Sequence, residues 1–250
     1  MTLSPHRKTL EIRAVSKAFD GTSVFSELSF AVEEECVTAL LGQSGCGKTT
    51  LLNIIAGIME PDMGKILLHG NDITASPGRI SYMQQDDLML PWKKTIDNIA
   101  LPLVIKGEKP HNARKIVMPY LSLFGLAAHA HAYPWELSGG MRQRAALLRT
   151  YLGSDTCIIL DEPFGALDVV TRDTMQQWLL SVVDELKPSV LFVTHDVLEA
   201  LVLADTIVVM GGCPAKITDT IANPIPRSAR KEHLHSPEFT ALRQRIWDAL

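Results

Sequence analysis

The sequence predicts an α/β protein: a parallel-sheet core, an antiparallel strand layer near the amino terminus, and a helical lobe inserted into the core. Three observations predict it. Val37–Leu41, Cys157–Leu160, Val190–Thr194 and Ile207–Met210 are continuous apolar runs with the length of strands buried on both faces. Helical stretches such as Thr171–Leu186 lie between them, and strand–helix–strand alternation at that spacing argues for a right-handed parallel sheet. A glycine-rich loop ending in Lys48-Thr49-Thr50 follows the first buried run.

Taken in order, Leu10–Phe19 and Val24–Val32 alternate partly with period two and flank Asp20-Gly21, a hairpin signal. Val37–Leu41 runs into Gly42. Thr49–Ala56 is apolar, built of helix formers, and stops at Gly57. Ile66–His69 and Ile80–Gln85 read as two more strands. From about Pro91 to Leu152 the pattern is helical, punctuated by Pro102, Gly107, Pro110, Pro119, Gly125 and Pro134. The expected organisation is one domain over 1–250. Residues 1–87 and 151–215 form its core and strand layer, 88–150 a helical subdomain, and 216–250 a peripheral carboxy-terminal tail.

Composition bounds the function. The chain has 250 residues, enough to bury a sizeable core, and 24 Lys+Arg against 28 Asp+Glu give a net charge of −4. This mildly acidic balance offers no electrostatic footprint for nucleic acid. Cys36, Cys46, Cys157 and Cys213 are widely spaced, without CxxC, and read as reduced thiols of a cytosolic protein. The start, MTLSPHRKTLEIR, lacks the apolar core of a signal peptide. No run approaches the ~20 apolar residues a membrane span needs. His129, His131, His233 and His235 lack a full ligand set and read as solvated.

Gly42-Gln43-Ser44-Gly45-Cys46-Gly47-Lys48-Thr49-Thr50 fits G-x-x-x-x-G-K-[ST] between a buried strand and a helix. Glycines let backbone N–H groups converge on phosphate oxygens, and the helix amino terminus adds its dipole. Lys48 supplies a point charge to the β- and γ-phosphates, and the Thr49 hydroxyl is placed to ligate Mg²⁺. The alternative, a packing turn without a ligand, does not account for the Lys-Thr-Thr ending. The loop by itself specifies a nucleoside triphosphate and no particular reaction.

Leu137-Ser138-Gly139-Gly140-Met141-Arg142-Gln143-Arg144 is followed by Cys157-Ile158-Ile159-Leu160-Asp161-Glu162-Pro163, with Asp161 placed 23 residues after Ser138. These strings resemble the signature sequence and Walker B strand of the ATP-binding subunits of ABC transporters. Phe164-Gly165-Ala166-Leu167-Asp168 resembles that family's D-loop, and Val193-Thr194-His195-Asp196 its switch histidine. Gln85 resembles the Q-loop glutamine, with adjacent Gln84 the other choice, and Phe19 occupies the place of the aromatic that stacks on adenine. The resemblance runs from about residue 10 to 215, with every motif in order, and implies a P-loop NTPase (RecA-like) core.

The residues make chemical sense in these places. Asp161 ends an apolar strand, at the edge where open α/β sheets bind ligands, and can hold Mg²⁺ through water. Glu162 can orient or deprotonate the attacking water, His195 can donate to the γ-phosphate, and Gln85 can touch Mg²⁺ or that water. Taken singly, Asp161-Glu162 and His195-Asp196 could be helix caps, and Phe19 a core aromatic. Ser138-Gly139-Gly140 is a second glycine-rich helix start, hence a second anion site. The resemblance implies that it, with Asp168, serves the ATP of a second copy bound head to tail.

Leu88-Met89-Leu90-Pro91-Trp92 is an apolar, aromatic patch at the start of the lobe, either lobe core or partner groove. In the family this region receives the membrane permease, so Leu90, Pro91 and Trp92 are the expected docking residues. The chain would then sit peripherally on the cytoplasmic face of the cell membrane and serve a solute-binding protein indirectly. Leu90-Pro91-Trp92, Thr95-Ile96-Asp97-Asn98-Ile99 and Thr194-His195-Asp196-Val197-Leu198-Glu199-Ala200 resemble the nitrate, taurine and alkanesulfonate importers, a group that also serves thiamine precursors. Gly211-Gly212-Cys213-Pro214-Ala215-Lys216 departs from that pattern. The competing reading is a non-transport ABC ATPase, a soluble mechanical or regulatory module. Such proteins usually carry two cassettes, coiled coils or basic stretches. Phe239, Leu242, Ile246 and Trp247 recur at helical spacing and are expected to cover the core.

Overall fold

The computed structural model describes residues 7–154, 157–165 and 167–250; Ala166 of the expected D-loop and residues 1–6 of the amino-terminal segment lie outside them. The described residues fall into two compact units, 1–80 with 188–250, and 81–187.

In the first unit, β1 (Lys8–Phe19) and β2 (Thr22–Glu33) form the expected hairpin, with Phe19 opposite Thr22. Asp20 and Gly21 take φ of 49° and 79°, the double positive φ of a two-residue turn that follows strand twist. β4 (Met63–Leu68) pairs antiparallel with β1, and the short β5 (Asn71–Asp72) with β4, completing the antiparallel layer. The core sheet of this unit has β3 (Val37–Gly42) flanked in parallel by β8 (Ser189–Thr194) and β9 (Thr206–Gly211). Every residue of β3 and β8 is buried, which is why these strands read as predominantly apolar, with Thr38, Ser189 and Thr194 as their buried hydroxyls. α1 (Lys48–Ile55) follows β3, and α8 (Val197–Leu203) links β8 to β9.

The carboxy-terminal segment departs from the expected peripheral tail. β10 (Lys216–Ala222) pairs antiparallel with β9 and extends the core sheet. It alternates exposed residues with half-buried ones and the buried Ile221 because only one face is covered, so it carries no buried-strand signature. Beyond it, Arg227 and Arg230 grip Asp205, with Arg227 Nε 2.9 Å from Oδ1 and Arg230 Nη2 2.8 Å from Oδ1. Burial alone would raise the Asp205 pKa, but these guanidiniums and the Val37 N–H hold it below the usual carboxylate range. α9 (Pro237–Ala249) starts at Ser236, whose Oγ accepts from Phe239 N at 3.1 Å. Phe239 and Ile246, two turns apart, are buried, while Trp247 is 60% exposed, so the covering stripe is narrower than the expected four residues.

The second unit holds the parallel pair β6 (Ser81–Met83) and β7 (Cys157–Asp161). β6 is shorter than the expected Ile80–Gln85, because Gln84 and Gln85 are both exposed beyond its last buried residue, Met83. The helices are α2 (Thr95–Ile99), α3 (Leu101–Ile105), α4 (Pro110–Val117), α5 (Tyr120–Leu123), α6 (Gly139–Gly153) and α7 (Val169–Leu186). The expected lobe boundary at 150 falls inside this unit. The reason is Trp178 on α7: its Nε1 donates to Leu123 O at 3.2 Å, its ring meets Phe124 edge-on at 5.2 Å, and Arg144 of α6 lies 5.0 Å over its face. Such aromatic and cation contacts tie α7 to the helices rather than to a separate core.

All four cysteines are free thiols. Burial pushes the Cys157 thiol up to about 12 and, with Asp205 and Glu33 nearby, the Cys36 thiol up to about 11. Both stay protonated and unreactive near neutral pH.

Candidate functional site

The phosphate loop leaves β3 at Gly42 and enters α1 at Lys48. Gly47 is the N-cap, with φ of 98° and no side-chain cap on the helix. A Cβ there would fall 2.5 Å from Val24 Cγ1 and 3.1 Å from Phe25 Cδ1, so the position needs glycine twice over. No acidic residue stands in the first turn of α1, and the positive end of the helix is left for a ligand. Lys48 is buried, and its ammonium donates to Gly42 O and Gln43 O, each at 2.8 Å. Gln43, Ser44, Gly45 and Thr49 are exposed, whereas Cys46, Gly47 and Thr50 are half-buried, so the loop presents its backbone outward.

Phe19 is 44% exposed, with Lys17 Nζ 5.6 Å from its ring centroid. That exposure rules out the core-aromatic alternative and leaves a ring surface available for stacking. His195 is exposed between β8 and α8. Its neighbours pin it: Thr194 Oγ1 donates to buried Glu199 and accepts from Asp196 N at 3.0 Å, while Asp196 Oδ1 caps α8 through Leu198 N at 2.8 Å.

In the second unit Asp161 closes β7 and is 6% exposed. Tyr82 of β6 donates its hydroxyl to Asp161 Oδ2 at 3.0 Å. Burial, then the Asp161 charge, pushes the Tyr82 pKa upward, so this hydroxyl remains a donor. Glu162 has φ of 45°, a left-handed conformation that costs a non-glycine residue strain and re-aims its side chain relative to Asp161. Gln84 and Gln85 follow β6, both exposed.

Ser138 caps α6, its Oγ accepting from Met141 N at 3.3 Å. Asp168 caps α7, its Oδ1 accepting from Val170 N and Thr171 N, each at 3.1 Å. Those bonds, led by Thr171, hold the Asp168 carboxyl below its usual range. Both helix starts open into one cavity of about 570 Å³, lined among others by Ser138, Gly139, Gly140, Arg144 and Asp168. Thus residues 30 positions apart in sequence, expected to act on one ligand, do share one depression within this unit.

Leu88 and Trp92 are 53% and 71% exposed, while Met89 is buried and Leu90 half-buried. Trp92 is therefore surface, not lobe core. Sequence reasoning missed the residues that hold this segment: Asn98, Asp87, Arg142 and Arg149. Asn98 lies between apolar Ile96 and Ile99 on a short helix; Arg142 falls within the signature string, and Arg149 had no signal beyond its place on a helix.

Among the described residues no group of three or more His, Cys, Asp or Glu could enclose a metal ion. Mg²⁺ needs no such cage, since it keeps several waters and takes one or two protein oxygens with the substrate's phosphates. The Thr49 hydroxyl and the buried, hydrogen-bonded Asp161 carboxylate are hard oxygen donors of that kind. No described helix is long and apolar enough to cross a membrane.

The family model for the ABC transporter matches residues 25–165. Formylaminopyrimidine import ATP-binding protein ThiZ of Halalkalibacterium halodurans is 42% identical over 209 residues, spanning 83% of this chain and 82% of that one. Nitrate import ATP-binding protein NrtD of Synechococcus elongatus is 39% identical over 231 residues, spanning 90% of this chain and 83% of its own. Taurine import ATP-binding protein TauB of Rhizobium johnstonii is 38% identical over 224 residues, spanning 88% and 86%. The solved dimeric structure of MJ0796, a bacterial ABC transporter cassette, has a TM-score of 0.73 at 24% identity and covers 87% of this chain, a likeness of fold. A strand–loop–helix phosphate cradle, a shared signature and D-loop cavity, and matches along most of the sequence place the chain in the ABC transporter family.

Proposed function

We propose that this chain binds ATP with Mg²⁺, hydrolyses it in a head-to-tail pair of identical copies, and thereby powers import of a small solute through a separate membrane permease. The observation that carries the reading is that one chain presents two anion-binding helix starts of unlike kind. The loop at 42–50 is a cradle with its own buried lysine. The 138–140 start, with Asp168, is an open cavity whose serine and first glycine are exposed. Two copies can then share each ATP, one giving the cradle and the other the cavity.

Each residue has a task. Lys48 and the loop N–H groups hold the β- and γ-phosphates, and Phe19 stacks on the adenine. Thr49, Asp161 and Gln85 would hold Mg²⁺, which would supply charge neutralisation on the phosphates. Glu162 accepts a proton from the attacking water, and His195 donates to the γ-phosphate. Ser138, Gly139, Gly140 and Asp168 close over the triphosphate of the partner copy. Loss of the γ-phosphate removes contacts that only the closed pair makes, and the pair loosens.

Relatives named for import of formylaminopyrimidine, nitrate and taurine support import over a soluble machine, and a small polar solute as cargo. Leu90, Pro91 and Trp92 dock the permease, a solute-binding protein delivers the cargo to it, and the chain sits peripherally on the cytoplasmic membrane face. Trp92→Ala is expected to spare basal hydrolysis and lose transport in a reconstituted complex. Equal solute uptake by variant and wild type removes the docking role.

Glu162→Gln tests the central claim. Turnover is expected to fall about 10²- to 10⁴-fold, the usual worth of a general base, while ATP binding persists. Light scattering with saturating Mg-ATP should then find twice the subunit mass. Single subunits under those conditions, or undiminished turnover, would overturn the reading.

A further inference from the structure

The exposed patch at 88–92 is fastened to α6 more firmly than a surface loop needs. Asp87 Oδ2 accepts from Arg142 Nε at 3.0 Å, and its Oδ1 accepts from Met89 N at 3.0 Å. Arg149 forks onto the backbone of the same segment, Nη1 to Leu88 O at 2.9 Å and Nη2 to Asp87 O at 2.5 Å. Leu88 between them has φ of 45°, a left-handed conformation that costs a non-glycine residue strain. From the other side Asn98, fully buried, closes the loop. Its Oδ1 accepts from Leu90 N at 2.7 Å and its Nδ2 donates to Leu90 O at 3.1 Å and Lys93 O at 3.0 Å.

Both arginines stand on the helix whose first turn is Gly139-Gly140-Met141. Arg142 also donates from Nη1 to Leu137 O at 3.0 Å, gripping the residue just before Ser138. One guanidinium thus holds the patch segment with one nitrogen and the signature turn with another. A planar fork with fixed donor directions transmits displacement better than a single flexible contact.

We propose that Asp87, Arg142 and Arg149 are positioning residues that strap the 88–92 patch to α6, so that movement of the patch shifts the Ser138-Gly139-Gly140 end of that helix. This deepens the import reading and rests on it: the partner that moves the patch is the permease. The three residues touch no nucleotide and act through α6. Pull on Trp92 is carried by the Asn98-clamped loop to Asp87, then by Arg142 to the Leu137-Ser138 turn.

The test compares wild type with Asp87→Ala and Arg149→Lys, each alone and with the permease in lipid vesicles. Asp87 is a third exposed on its side chain, so its truncation should fold. A single ammonium in place of the Arg149 guanidinium cannot span two carbonyls, so that variant keeps the charge while losing the fork. Both variants should still copurify with the permease and keep basal hydrolysis within roughly two-fold. Their solute-stimulated hydrolysis should fall about ten-fold, the scale of a lost coupling contact. In the isolated chain, amide exchange over residues 137–143 should quicken about ten-fold in both variants relative to wild type. Full stimulation in both variants, or loss of permease binding, or unchanged exchange at 137–143 overturns the strap. A wild type that no permease stimulates overturns the import reading instead, and the exchange measurement still decides whether the strap exists.

Discussion

The two glycine-bearing helix starts, at α1 and at α6, solve the same electrostatic problem in opposite ways. Gly47 is sealed against Val24 and Phe25, and the neighbouring lysine is buried with two carbonyl partners. Gly139 meets nothing nearer than Arg142 Nη2 at 4.0 Å from its would-be Cβ, and Ser138 caps its own helix. The first start carries its own buried cation. The second leaves its donors facing outward and supplies no buried cation of its own among the cavity's lining residues. A closed cradle binds a ligand alone, whereas an open helix start contributes only when another surface brings the ligand to it.

Removing the polar side chain at each site gives the largest contrast. Lys48→Ala should weaken ATP binding by the isolated chain about 10- to 100-fold, the worth of a charge-assisted hydrogen bond or two. Ser138→Ala should leave that affinity within roughly two-fold, yet abolish pairing in the Glu162→Gln background, with helix stability lowered by about 1 kcal/mol. Nucleotide titration of the separate subunit reads both, and a large affinity loss from Ser138→Ala would break the comparison.

Adding a methyl group gives a smaller contrast. Gly47→Ala forces a left-handed alanine into Val24 and should cost about 1–3 kcal/mol of stability along with nucleotide affinity. Gly139→Ala meets open space in ordinary backbone, so its melting temperature should match wild type while hydrolysis drops. Equal melting shifts in the two variants would mean that the second start is as tightly built as the first.

The smallest effect is an acid sensitivity of the first unit. The Asp205 pKa is depressed in the folded first unit by Arg227, Val37 N–H and Arg230, against burial. The unfolded chain therefore binds the proton more readily. That stability is present above the ordinary carboxylate pKa of about 4 and is lost as pH falls through the lower folded value. Asp205→Asn should flatten the acid limb of an unfolding curve below about pH 5. An unchanged limb would remove Asp205 as the acid-sensitive clamp on the carboxy-terminal segment.

Much of this was readable from residue order. Val37–Leu41 and Val190–Thr194 announce buried strands because a strand covered on both faces is mostly apolar, with only the small hydroxyls of Thr38 and Thr194 among the buried side chains. Asp20-Gly21 announces its turn because two successive positive φ values favour such residues. Of the cavity residues, Ser138 was legible as part of a glycine-rich helix start and Asp168 by family resemblance. β10 was not legible, since an edge strand with one covered face looks like loop in one dimension. Nor were Tyr82, Asp87, Arg142 and Arg149, each an ordinary residue whose partner lies 5 to 79 positions away.

The sequence alone determined the order of motifs, the phosphate loop, the strands that carry it and the family, because those depend on local spacing and on runs of like residues. Tertiary structure alone decided that Phe19 and Trp92 are surface, that the carboxy-terminal segment adds a strand to the sheet, and that α7 packs with the helices. It also decided that a guanidinium on α6 holds the loop bearing Trp92. Such contacts depend on which distant side chains folding brings within hydrogen-bond reach, and short-range pattern carries no record of that.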